Sequence, residues 1–89
     1  MDWDTVSFVM SGNLRFRTLV ELKGAQKTPS DLREVFGCPI SHVSKTLKEL
    51  EGRNLIKCLT PERRKIKFFT ITDGGKKILD EINKVTSKT

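Results

Sequence analysis

"GCPISHVSKTLKELEGRNLIKC", residues 37–58, holds a stop, a helix and the start of a strand. Gly37 suits the left-handed conformation that ends a preceding helix. The next helix starts between Pro39 and Ser41, both of which are suitable starters. Val43, Leu47 and Leu50 recur at helical spacing and predict an inward stripe. Ser41, Lys45 and Lys48 then fall on the opposite side, with His42 and Ser44 flanking them. Gly52 or Asn54 ends the helix. The stretch therefore aims hydroxyls, an imidazole and two lysines at solvent from one helix face.

Working outward, "TPSDLREVFG" at 28–37 is a second, shorter helix. Thr28 is its cap, Pro29 occupies the first turn where a missing N–H costs nothing, and Asp31 suits the positive helix end. Leu32, Val35 and Phe36 are its expected buried stripe. On the other side, "LIKCL" at 55–59 reads as a strand and "TPERRK" as a polar turn. "IKFFTIT" at 66–72 reads as a returning strand with Phe69 and Ile71 inward. The pair makes a β-hairpin with a cationic tip: Arg63, Arg64, Lys65 and Lys67.

The rest of the chain adds three helices. Trp3, Val6 and Met10 share a stripe in an N-terminal helix that Asp2 can cap and that Ser11-Gly12-Asn13 breaks. A helix from about Leu14 to Lys23 carries Phe16, Leu19 and Val20 on one face and Leu14 and Leu22 on another, which predicts burial on two sides. Thr72 can cap a last helix with the stripe Ile78, Leu79, Ile82 and Val85, whose first turn Gly74 and Gly75 weaken.

Eighty-nine residues fit one domain, without room for a catalytic cleft between lobes. The expected division is an N-terminal helix at 1–12, a core at 13–72 and a C-terminal helix at 73–89. No apolar run approaches the ~18 residues of a membrane span. No basic-then-apolar leader is evident, and the expectation is a cytoplasmic protein. Seventeen Lys and Arg against eleven Asp and Glu give a net charge of +6. An excess of this size on a small domain favours a polyanionic partner, nucleic acid before a membrane surface. Cys38 and Cys58 are too few and too far apart for a zinc site and read as small apolar residues beside the core. No catalytic triad, phosphate-binding glycine loop or paired carboxylates appear, so neither an enzyme nor a cofactor is expected.

Two short helices joined by a tight turn, the second followed by a basic hairpin, make an α+β, mainly helical, winged helix-turn-helix. Residues 28–75 resemble the DNA-binding core of ArsR- and MarR-like transcriptional regulators, especially the small archaeal ones. The resemblance rests on the Val43-Ser44 pair, the "LKELEGRNLI" exit into the strand and the Thr72-Asp73-Gly74 end of the wing. It implies a DNA-binding regulator. The cysteine-rich motif of ArsR-like metal sensors is missing, and the chain is short for the ligand cleft that MarR-like proteins build with longer helices.

The physical reading agrees. The major groove admits one helix, so Ser41, His42 and Ser44 are the candidates for base edges and Lys45 and Lys48 for phosphates. The cations of the wing suit phosphates or the narrow minor groove. One winged helix reads too few base pairs to single out a site, which predicts a homodimer. Trp3, Val6 and Met10 at one end, and Ile78, Ile82 and Val85 at the other, are the expected dimer surfaces. The competing readings are a winged-helix docking module for proteins and a non-specific nucleic-acid binder.

Overall fold

The computed structural model describes residues 3–60 and 66–86, the last two by their backbone alone. Its elements are α1 (Trp3–Met10), α2 (Asn13–Gly24), α3 (Pro29–Phe36), α4 (Ile40–Gly52), β1 (Ile56–Cys58), β2 (Phe69–Ile71) and α5 (Asp73–Thr86). Asp2, Arg63, Arg64, Lys65 and the side chain of Val85 lie outside the described residues, and with them the cap and wing tip expected there.

Local chemistry sets the helix-turn-helix. The Thr28 hydroxyl accepts from the Asp31 N–H, and the Asp31 carboxylate accepts from the Thr28 N–H, both at 3.1 Å. This reciprocal pair satisfies two backbone donors at the start of α3. Gly37 stops the helix at φ 65°, with its N–H donating to the Arg33 carbonyl at 2.8 Å. At the far end of α4 the left-handed stop is Asn54, at φ 60°. Its N–H donates to Glu51 and that of Leu55 to Leu50, each at 3.0 Å, which closes the last turn.

β1 and β2 pair antiparallel, Ile56 opposite Ile71 and Cys58 opposite Phe69. Lys27 adds a bridge to Phe69 on the outer edge. The strands are shorter than the predicted 55–59 and 66–72. Beyond Cys58 the Leu59 N–H still donates to the Phe68 carbonyl at 2.7 Å. Then a side chain takes over: the Thr60 hydroxyl accepts from the Phe68 N–H and donates to the Ile66 carbonyl.

The core lies where α2, α4, α5 and the hairpin meet, around Leu19, Leu22, Leu32, Leu50, Ile56 and Leu79. Phe69 and Ile71 point inward as predicted. α2 packs on α1, α4, α5 and β2, so it is buried on more than one side. Two apolar residues differ from expectation: Val20 is 46% exposed and Val35 49%. Periodicity places both on apolar stripes, but the α2–α3 contact is narrower than the stripes.

The terminal helices close this core. Val6, Ile78 and Ile82, expected to face a second protomer, are instead buried within their own chain. The reason is that α1 packs on α2 and α5, and α5 on α2 and β2, which brings both stripes together with Val9 and Leu79. Trp3 and Met10 stay 60% and 52% exposed.

α5 begins at a tight crossing. The Thr72 hydroxyl accepts from the Gly75 N–H at 3.1 Å, as an N-cap does. A Cβ on Gly75 would collide with the Leu55 carbonyl and lie 2.6 Å from Ile71 Cγ1, so only glycine lets α5 approach the sheet. Among the described residues no helix is long and apolar enough to cross a membrane.

Candidate nucleic-acid interface

α4 is seated by Val43, Leu47 and Leu50, all buried as predicted, and by a buried threonine that periodicity missed. The Thr46 hydroxyl is satisfied internally, donating to the His42 carbonyl at 2.9 Å. Ser41, His42, Ser44, Lys45 and Lys48 are all exposed, and α4 brings the five together on its outer side. Lys67 is also exposed, on the approach to β2.

The two helix starts differ electrostatically. Asp31 closes the positive end of α3, and its hydrogen bonds from Thr28 hold its carboxyl below the usual carboxylate range. α4 follows Pro39, has no side-chain cap and carries no acid in its first turn. Its positive end is thus free to meet an anion. Ile40 is exposed beside it and offers an apolar contact of the kind a thymine methyl takes.

Of the two acids in α4, Glu49 on the His42 side of this face is neutralised, while Glu51 on the Ser44 side is exposed. Glu49 receives Arg15 Nη2 at 2.8 Å, the one ion pair among the described residues. Arg15 Nη1 also donates to the Phe8 carbonyl at 2.7 Å and the Ser11 hydroxyl at 3.0 Å. The guanidinium sits 4.0 Å from the Phe8 ring centroid, and that of Arg53 sits 4.2 Å from the same ring. None of these five residues is predicted as functional. Arg15 and Glu49 are 34 residues apart, and the only local hint is one cation between the apolar Leu14 and Phe16.

Cys38 and Cys58 are free thiols, half-buried against the core. Among the described residues no group of three or more His, Cys, Asp or Glu could hold a metal ion.

The sequence matches no protein-family model and no curated protein. Solved structures do match. An Escherichia coli MarR mutant in complex with operator DNA superposes with a TM-score of 0.78 at 18% identity, covering 93% of this chain and 64% of that one. The fold is that of the MarR-like winged-helix regulators. The Staphylococcus aureus MepR–DNA complex gives 0.79 at 20% identity over 96% of this chain and 73% of MepR. The adhesin competence repressor AdcR of Streptococcus pyogenes gives 0.74 at 19% identity over 86% and 58%. The chain thus spans less than two thirds of the length of the MarR mutant and AdcR. In the MarR-like fold the paired helices α3 and α4 with the β1–β2 hairpin form the helix-turn-helix and wing expected for 28–75.

Proposed function

We propose that this chain is a sequence-specific, double-stranded DNA-binding transcriptional regulator that occupies an operator as a homodimer in the cytoplasm. The observation that carries this reading is the outer face of α4: Ser41, His42, Ser44, Lys45 and Lys48 are exposed together while Val43, Leu47 and Leu50 hold the helix to the core. The MarR-like fold supports it, since the MarR mutant and MepR structures were solved with DNA. So does the net charge of +6.

In this reading α4 enters the major groove. Its uncapped start and Lys45 and Lys48 meet phosphates, while Ser41, His42 and Ser44 meet base edges. Arg63, Arg64, Lys65 and Lys67 of the wing add backbone or minor-groove contacts. A second copy reads a half-site about one helical turn away. With Val6, Ile78 and Ile82 taken up by the core, Trp3 and Met10 on α1, together with Val85, are the members of the expected dimer surface left to meet it. No catalysis is assigned.

Duplex binding measured against salt tests this. Lys45→Ala with Lys48→Ala, and Arg63→Ala with Arg64→Ala, should each weaken binding to all sequences alike. Each pair should also flatten the salt dependence by about one unit per lost phosphate contact. Ser44→Ala or His42→Ala should instead relax base preference at a cost of roughly 1–3 kcal/mol on the preferred site. A wild-type protein that does not bind duplex at low salt would overturn the reading in favour of a protein-docking module.

A further inference from the structure

We infer that Arg15 is a positioning residue for the recognition helix: it fixes the rotation of α4 against the α1–α2 corner through Glu49, and base discrimination depends on that rotation. The consequence for discrimination rests on the DNA-binding reading above; the positioning itself does not.

Apolar packing by Val43, Leu47 and Leu50 holds α4 to the core but is non-directional, so it sets the rotation of the helix only loosely. Hydrogen bonds are directional and weaken steeply as they bend. The directional contacts of Arg15 with α4 run from one planar group. Nη2 and Nε donate to the two Glu49 carboxylate oxygens at 2.8 and 3.4 Å. Nη1 of the same rigid fork is held by the Phe8 carbonyl and the Ser11 hydroxyl, both at the end of α1 and its turn. Movement of Glu49 relative to α1 therefore bends several hydrogen bonds at once.

Phe8 adds a second hold. The guanidinium groups of Arg15 and Arg53 lie 4.0 and 4.2 Å from its ring centroid, so one ring of α1 contacts both. Arg53 follows the last residue of α4. The α1 ring thus grips α4 at its end, while Arg15 grips it a turn earlier.

The site of the grip matters for reading DNA. His42, Lys45 and Glu49 follow one another at three and four residues, which places them on one helical stripe. His42 and Lys45 line the same shallow cleft of about 350 Å³ as Arg15 and Glu49. A rotation of α4 that displaced Glu49 would displace His42 and Lys45 with it. Lysine in place of Arg15 keeps the charge but lacks the fork that reaches Glu49, Phe8 and Ser11 together.

The test compares the full-length wild type with Arg15→Lys and Glu49→Gln. Residual dipolar couplings of backbone amides in the free protein report the orientation of α4 relative to α2 and α5. We expect the α4 couplings to shift together in both variants while those of α2 and α5 keep their mutual frame. On DNA, affinity for a random duplex should fall by no more than the one phosphate contact of Lys45 supplies, while the ratio of preferred to random affinity falls roughly tenfold. Couplings that superpose on the wild type would overturn the inference, even if the variants melted earlier, because that would leave Arg15 a merely stabilising role. So would equal losses on preferred and random duplex. If the wild type showed no preferred sequence, the DNA reading would fail and the couplings alone would decide the positioning role.

Discussion

The Thr72 hydroxyl donates to the Asn54 carbonyl at 2.6 Å, tying the exit of the β1–β2 hairpin to the end of α4. The Thr72 N–H makes a second tie, to the Leu55 carbonyl at 3.0 Å. Asn54 sits at the left-handed stop of α4 and Thr72 caps α5, so one side chain joins three elements. The β1–β2 hairpin and α4 are thereby held as one unit.

Thr72→Val keeps the shape of the side chain and removes the hydroxyl. It leaves the Asn54 carbonyl and the Gly75 N–H without their partner, and the loss of a cap alone costs about 0.5–2 kcal/mol. Chemical denaturation should show a loss of that order or somewhat more. Serine at the same position should restore most of it.

The capping box at α3 predicts acid sensitivity. The carboxyl of Asp31 is held below its ordinary value first by the Thr28 N–H and then by the Thr28 hydroxyl. A lowered folded-state value means the stabilisation is complete above the unfolded value and is lost as pH falls through the folded one. The affected window therefore lies below about pH 4. Melting temperatures across that range should fall less steeply for Asp31→Asn than for the wild type. Identical slopes would show that the box does not contribute there.

Dimerisation is tested by sedimentation at micromolar concentration. The intact chain should sediment as a dimer, and Trp3→Glu should shift it toward monomer. Ile82→Glu should act differently, unfolding the chain rather than separating two folded copies, because Ile82 is buried in its own core. A monomeric intact chain would contradict the homodimer.

How far the sequence spoke depended on the range of each interaction. The Thr28 cap, the Asp31 charge at the helix start and the Gly37 stop lie within ten residues and are legible from residue type alone. The return bond from the Thr28 N–H to the Asp31 carboxylate is seen only in the structure. The inward set Val43, Leu47 and Leu50 is legible too, since spacing alone decides the face. Val6, Ile78 and Ile82 show the limit: a stripe looks the same whether its own chain or a second copy covers it. Val35 shows the converse, an apolar residue on a stripe wider than the contact it serves. Gly75 read as a weak point in a helix, whereas the close approach of Leu55 makes it a requirement. The Arg15–Glu49 pair left no more than one cation between apolar neighbours in the sequence, since it exists only once α2 and α4 pack.

The most direct test of the central claim is selection by the intact protein from a pool of random duplexes, followed by sequencing. If the outer face of α4 reads bases from two copies, one sequence should be enriched, with two inverted half-sites about one helical turn apart. Ser44→Ala should alter the bases preferred within each half-site. A pool that binds without enrichment, or a preference unchanged by substitutions at both His42 and Ser44, would contradict the account.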